Sequence, residues 1–378
     1  MDIIDIRHHL HRHPELSGKE IATHNFIVEQ LADCHPTKIH QHAGQLPESP
    51  SNGVVAVWGA DPEAPTVVFR ADIDALPINE TTDLPYRSEV TGVGHKCGHD
   101  GHTAILLRLA RMIAEHELPL ATNVILVFQP EEETGLGSKK ILRSGILHQY
   151  NIRAIYGIHN LPGYSRNQVV LSRDTFAAAS SGFIVNLHGR QTHASTPEKG
   201  INPGLAVSEL IQQFDLLNTD THQRSDFTQS TLIFVRLGDE AFGTSAGDAS
   251  VAFTLRAFTN EAMQQLLTAA EKVSQSVAER YNLEYTTELR EPFNATENNG
   301  RIVDRLHRHC ILQERPATTI DRPFRWSEDF ADYLMQFPGA MMGIGAGHHH
   351  AELHHPDYDF PDEIIEPTAQ LLFSLITH

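Results

Sequence analysis

The apolar positions of this chain follow two different rhythms. Short, nearly unbroken apolar runs recur at VVAVW (54–58), TVVFR (66–70), NVILVF (123–128) and AIYGI (154–158), with a fifth, AMMGIG (340–345), much later. Runs of this length without polar alternation predict strands covered on both faces of a parallel or mixed sheet. Between the second and third runs the period becomes helical. HTAILLRLARMIAEHE (102–117) places Ile105, Leu109, Met112 and Ile113 on one face, with Pro119 beyond its end as a stop. Ser17 and Glu20 form an S-x-x-E pattern before IATHNFIVEQLADC (21–34). That pattern predicts a capping box on a helix turning Ile21, Phe26, Ile27 and Leu31 inward. Strand and helix in alternation predict an α/β layered core.

The stretch 177–291 reads differently. FIVNLHGR (183–190) alternates as a half-buried strand, and GLAVSELIQQFDLLN (204–218) is an amphipathic helix. TLIFVRLG (231–238) and ASVAFTLRAF (249–258) are two strands, residues 260–282 a long helix, and LEYTTELRE (283–291) a last strand. The order βαββαβ is that of a ferredoxin-like unit. It predicts a domain, 177–291, inserted into a catalytic domain made of 1–176 and 292–378.

Composition removes several classes of function. The 378 residues include 48 acidic and 29 basic side chains, a formal charge of −19, with no basic block to suit nucleic acid. No run approaches the ~18 apolar residues that span a membrane. The start, MDIIDIRHHLHRHPE, lacks a charged-then-apolar signal layout, so a cytoplasmic protein is expected. Three scattered cysteines, Cys34, Cys97 and Cys310, make no disulfide framework. The unusual number is 25 histidines, which gather near the N-terminus, in GHKCGHDGH (94–102) and in GHHHAELHHP (347–356).

Candidate chemistry lies where the apolar runs end. Asp72 and Asp74 follow the second run, Glu131, Glu132 and Glu133 the third, His159 the fourth, and the loop with His354 the fifth. Ligands in open α/β sheets bind beyond the carboxyl ends of the strands, so these ends would build one polar pocket. Cys97 and His99, in C-x-H spacing, project to one side if the segment is extended. Alone, Cys97 reads as a small buried hydrophobe, His159 as a satisfied histidine and the glutamates as a solvated loop. Together a thiolate, imidazoles and carboxylates suit Zn²⁺, Mn²⁺ or Co²⁺. Neighbouring carboxylates repel, which suggests that one binds metal while the other handles a proton.

RADIDALPINE (70–80), HKCGHDGHTA (95–104), FQPEEETGLGSKKIL (128–142), GIHNLPGY (157–164), HGRQTHASTPEKG (188–200), WSEDFADYL (326–334) and LHHPDYDF (353–360) occur in that order. In this the chain resembles the dinuclear metal amidohydrolases of the aminoacylase–carboxypeptidase G type. It is most similar to the branch of hippurate hydrolases, N-acetyl-diaminopimelate deacetylases and auxin–amino acid conjugate hydrolases. The resemblance implies a zinc-peptidase-like three-layer catalytic domain with an inserted ferredoxin-like lid. It implies two divalent ions per subunit (Mn, Zn, Co or Ni) on Cys97, His99, Glu133, His159 and His354. Glu132 becomes the general base and acid, Asp74 a supporting residue, and His193 the group that reaches over the substrate to the oxyanion. Arg256 matches a strand arginine that meets a substrate carboxylate. The implied reaction is hydrolysis of the amide of a small N-acyl amino acid, in an enzyme that pairs through its lid.

Two departures bear on selectivity. Glu131 makes a triplet where the branch has alanine before two glutamates, and Gly243–Ala246 replaces an Asn-Val-Ile-Pro segment. Two other readings stand beside the amidohydrolase: a dipeptidase or carboxypeptidase on the same scaffold, and a non-catalytic metal-binding protein. A metal buffer has no use for the carboxylate pair or for His193.

Overall fold

The computed structural model describes residues 1–59, 61–116, 122–219 and 226–377. They cluster into two compact units. The first comprises Met1–Phe176, Glu297–Asp321 and Asp329–His378; the second comprises Ala177–Thr296 and Arg322–Glu328.

In the first unit the helices are α1 (Ile3–Arg12), α2 (Ile21–Ala32), α3 (His99–Glu115), α4 (Gly137–Arg143), α7 (Gly300–Leu312), α8 (Ala331–Leu334) and α9 (Ile365–Thr377). Its strands are β1 (Lys38–Ala43), β2 (Gly53–Trp58), β3 (Pro65–Asp72), β4 (Asn123–Gln129), β5 (Asn151–Pro162), β6 (Val169–Leu171), β13 (Ala317–Thr319) and β14 (Gly339–Gly347). They form one sheet in the order β1-β2-β4-β3-β5-β14-β6-β13. β3 runs parallel to both β4 and β5, and β5 parallel to β14. All five apolar runs are strands here.

Their side chains divide between two covered faces, as continuous apolarity requires. Val54, Ala56, Phe69, Leu126, Tyr156 and Met342 pack in one cluster with α1, α2, α3, α7 and α9. The opposite face meets α4 and α8: a Cβ on Gly53 would lie 2.7 Å from Ile141, and one on Gly339 2.8 Å from Leu334. The result is a three-layer α/β unit.

The second unit holds β7 (Ala179–His188), β8 (Thr192–His193), α5 (Gly204–Asp215), β9 (Thr228–Leu237), β10 (Thr244–Ser245), β11 (Asp248–Ala257), α6 (Asn260–Arg280) and β12 (Glu284–Phe293). The long strands pair antiparallel in the order β12-β7-β11-β9, which is ferredoxin-like. Phe183, Val185, Val251 and Phe253 pack against Leu210 and Phe214 of α5 and Leu266 and Val277 of α6. Thr259 caps α6 by accepting the N–H of Ala262 at 3.1 Å.

Several local expectations change. Ser17 and Glu20 make no capping box: Glu20 is the N-cap residue of α2 without a side-chain bond to it. Both side chains serve longer-range contacts described below. Ile21 is 60% exposed, and Thr23, His24, Ile27 and Leu31 face inward. The helix of the CGHDGH segment begins at His99, with Gly98 at φ 90°, so Cys97 and His99 are not on an extended strand. Arg322–Glu328 packs with the second unit, whereas the sequence reading placed it in the first. Pro119, read as a stop, lies outside the described residues.

Candidate metal centre and active site

The parallel strands of the first unit bring their carboxyl ends to one edge of its sheet. β3 ends at Asp72, opposite Gln129 at the end of β4, and His159 on β5 lies opposite Gly343 on β14. Asp74, Glu131–Glu133 and His354 follow on the exits of β3, β4 and β14. Cys97 and His99 arrive through the turn at Gly98. A Cβ at Gly98 would stand 2.6 Å from Asn160 Oδ1 and 2.9 Å from the Phe360 ring, so glycine is needed for both its φ and the close approach.

Backbone carbonyls set the two buried imidazoles. His99 Nδ1 lies 3.0 Å from the Asp74 carbonyl and His159 Nδ1 2.9 Å from the Asn160 carbonyl. A carbonyl only accepts, so each Nδ1 carries a proton and donates, and in its neutral form each ring presents a bare Nε2. Those Nε2 atoms face other donors. His159 Nε2 is 3.6 Å from Cys97 Sγ, and His99 Nε2 is 3.9 Å from Glu133 Oε1. His354 Nε2 is 3.5 Å from the same Glu133 oxygen.

These spacings test whether a metal fits. Ligands about 2.0–2.3 Å from one tetrahedral ion are roughly 3.3–3.8 Å apart. The observed separations are close to that range, and the two between nitrogen and oxygen are too long for ordinary N–H···O hydrogen bonds. His99 Nε2 and Glu133 Oε1 are buried and have no hydrogen-bond partner among the described residues. Cys97, His99 and His159 bring one donor atom each within 4.8 Å of one another, as do Cys97, Glu133 and His354, and also His99, Glu132 and Glu133. Imidazole, thiolate and carboxylate together suit a borderline divalent ion. The residues fit the group.

Electrostatics agree. Burial pushes His159 down to about 3, the neutral form that metal ligation needs. Cys97 and Glu133 raise His354 to about 10. Burial opposes charge on His99, yet Asp72, Cys97 and Asp74 lift it well above its usual value. Burial and Glu133 raise the Cys97 thiol. Acidic neighbours thus attract positive charge to this cluster, whether a proton or a metal ion.

Asp74 is a hub. Its Oδ2 accepts from Ser17 Oγ at 2.7 Å and from the Glu133 N–H at 3.1 Å, while its Oδ1 is 3.2 Å from His99 Nδ1. Glu20 Oε1 accepts the Glu131 N–H at 3.0 Å, and Lys140 Nζ pairs with Glu131 Oε1 at 2.5 Å. The extra glutamate is therefore tied to α4. Beneath the centre, His102 bridges Asp72 Oδ1 at 2.6 Å and Asn160 Oδ1 at 2.5 Å. Burial raises the Asp72 carboxyl, but His99, His102 and Arg70 hold it well below the ordinary range. Arg70 also donates to Asp329 at 2.7 Å.

The structure therefore brings together Asp74, Cys97, His99, Glu132, Glu133, His159 and His354. His193 and Arg256 belong to the second unit. His193 pairs with Thr244 across β8 and β10, so the replaced Gly243–Ala246 segment lies beside it. The Ser195 N–H donates to His193 Nδ1 at 3.1 Å, which places the proton of the neutral ring on Nε2. Arg256 is half-buried and donates to the Arg325 carbonyl at 2.6 Å and to Ser327 Oγ at 3.1 Å.

Arg7, His11, Glu80 and Lys96 are supporting residues not marked out by the sequence pattern, and Ser17 and Glu20 support the site instead of forming the expected capping box. One signal was available. On α1 the apolar positions Ile6 and Leu10 put Arg7 and His11 on the same stripe, and all four are buried. A charge on an inward stripe demands partners; Arg7 finds Asp100, Asp359 and Asp362.

The chain is 31% identical to N-acetyl-L-cysteine deacetylase of Bacillus subtilis, over 98% of this chain and 86% of that one. It is also 31% identical to IAA-amino acid hydrolase ILR1-like 5 of Arabidopsis thaliana, over 99% and 86% respectively. The crystal structure of a dinuclear metal binding peptidase of the M20 family from Bacillus subtilis superposes with a TM-score of 0.84 at 26% identity, covering 99% of this chain and 96% of that one. A profile of peptidase family M20/M25/M40 matches residues 68–378. With the three-layer unit, the donor cluster at its sheet edge and these matches, the chain belongs to peptidase family M20/M25/M40 and is a hydrolase.

Proposed function

We propose that this chain holds two divalent metal ions and hydrolyses the amide bond of small N-acyl amino acids. The observation that carries the proposal is the donor set at the sheet edge: Cys97, Glu133 and His354 in one group, Cys97, His99 and His159 in another, with Glu132 beside His99 and Glu133. The named relatives, a deacetylase and an amino acid conjugate hydrolase, act on that substrate class. Those five residues hold the ions (Mn, Zn, Co or Ni).

When bound, the ions lower the pKa of water towards ~7 and polarise a carbonyl. Glu132 takes the proton of the attacking water and returns it to the leaving amine, acting first as base and then as acid. Asp74 keeps His99 in the Nδ1–H form and fixes Glu133 through its N–H. His193, with its proton on Nε2, donates to the oxyanion, the second unit acting as a lid. Arg256, oriented by Arg325 and Ser327, takes the substrate carboxylate.

Two further assignments belong to this reading. The edge strand β9 exposes Leu232, Ile233, Val235 and Leu237, a surface suited to a second copy of the chain. Three free, buried cysteines fit a reducing, cytoplasmic setting. Among the described residues no helix is long and apolar enough to cross a membrane.

The test is a substrate panel: N-acetyl and N-benzoyl amino acids beside dipeptides, each with Mn²⁺, Zn²⁺, Co²⁺ and Ni²⁺. Release of free amino acid from the N-acyl compounds is expected. Turnover of dipeptides alone would move the assignment to a peptidase, and no turnover with any metal would favour a binding protein.

A further inference from the structure

His354 reaches the site from a loop. Its side chain is 51% exposed and its backbone lies in the left-handed region at φ 63°, so something must hold it in place. Lys96 does so from two ends. Its carbonyl accepts the His354 N–H at 2.7 Å, and its Nζ donates to the Tyr358 carbonyl at 2.8 Å. One residue thus fixes both ends of the arc 354–358. Lys96 is fully buried, and its other partner, Glu80 Oε1, lies 2.7 Å away. Glu80 is itself held by His11 Nε2 at 3.0 Å, Thr82 Oγ at 3.0 Å and the Ser88 N–H at 2.7 Å.

A buried ion pair contributes little net stability, because desolvation offsets much of its attraction. What Lys96 supplies is geometry. It directly precedes Cys97, which shares one donor group with His99 and His159 and another with Glu133 and His354, and the arc it grips belongs to the second group alone. His99 and His159 are oriented separately, by the Asp74 and Asn160 carbonyls.

We infer that Lys96 is a positioning residue for His354, acting on the donor group Cys97–Glu133–His354 and not on the orientation of His99 and His159. This rests on the metal reading above. The test is calorimetric titration of metal-free full-length protein with Mn²⁺, for wild type, Lys96→Met, Glu80→Gln and His354→Ala.

Wild type should take two ions, and His354→Ala should lose or greatly weaken one. Lys96→Met should keep one site at wild-type affinity and weaken the other about 10- to 100-fold, the usual effect of losing an orienting partner. Both sites at wild-type affinity in Lys96→Met, or both equally weakened, overturns the inference alone. If Lys96→Met fails to fold, Glu80→Gln keeps the side-chain shape while removing the charge that holds Nζ. It should show the same one-site weakening, to a smaller degree, and unchanged binding there overturns the inference. Fewer than two ions in wild type, or two retained at full affinity in His354→Ala, removes the metal reading and this inference with it.

Discussion

Glu132 and Glu133 are neighbours in sequence with different surroundings. The Glu133 N–H is held by Asp74, and its Oε1 lies 3.9 Å from His99 Nε2 and 3.5 Å from His354 Nε2. Glu132 is 5% exposed and shares a donor group with His99 and Glu133. Assigning the proton to Glu132 makes a specific prediction. Glu132→Ala should retain both metal ions, counted by calorimetry or elemental analysis, and lose roughly 10²-fold or more in turnover. Full activity in the metal-replete variant contradicts the assignment. At this scale Glu132, Glu133, His159 and His354 were legible because they lie beyond apolar runs that read as buried strands, and Cys97 and His99 because of their C-x-H spacing. Their tautomers were not, since these depend on which carbonyl folds against each ring. Nor was the role of Glu131, which Lys140 and Glu20 tie down from elsewhere in the chain.

At the scale of elements, α1 is joined to the site-bearing segments by buried charges. His11 sits between Glu80 and Asp100, and burial alone would lower its pKa. The hydrogen bonds to Asp100 and Glu80 outweigh burial and raise it to about 9. The folded chain then keeps a proton that the unfolded chain releases near ~6.5. The stability this confers is complete below about pH 6.5 and is lost as pH rises through about 9, on the order of 3 kcal/mol in all. Urea unfolding at fixed metal concentration should show wild type weakening between pH 6.5 and 9.5 more steeply than His11→Gln. Parallel slopes would show that His11 is not protonated in the fold. Five of the eight strands of the first unit's sheet were readable from apolarity alone. The Ser17–Glu20 box was misread because a local pattern cannot reveal that Asp74 and Glu131, more than fifty residues away, claim both side chains. Arg7 and His11 illustrate the converse, a signal present on the stripe of a helix and not used.

For the molecule as a whole, the order of elements carried most of the architecture. A βαββαβ run between two parts of a strand–helix core marks the second unit, and its sheet follows the ferredoxin-like order. The segment Arg322–Glu328 was not legible as part of that unit. It has no periodicity, and it is held by contacts such as the Ala178 N–H to the Phe324 carbonyl at 3.0 Å. The histidine count was a poor guide too. His348 bonds the Gly163 carbonyl and Ser165 on the surface, whereas the histidines at the site are few: His99 opens α3, His159 lies near the end of β5 and His354 sits in the loop after β14. The central claim is that amide hydrolysis requires metal held by these donors. It is tested most directly by stripping the protein with a chelator and adding Mn²⁺ back in measured equivalents. Release of amino acid from an N-acetyl amino acid is followed at each step. Activity should vanish on chelation and return in full by two equivalents per chain. Undiminished turnover in the stripped protein, with metal content verified as negligible, would contradict the account.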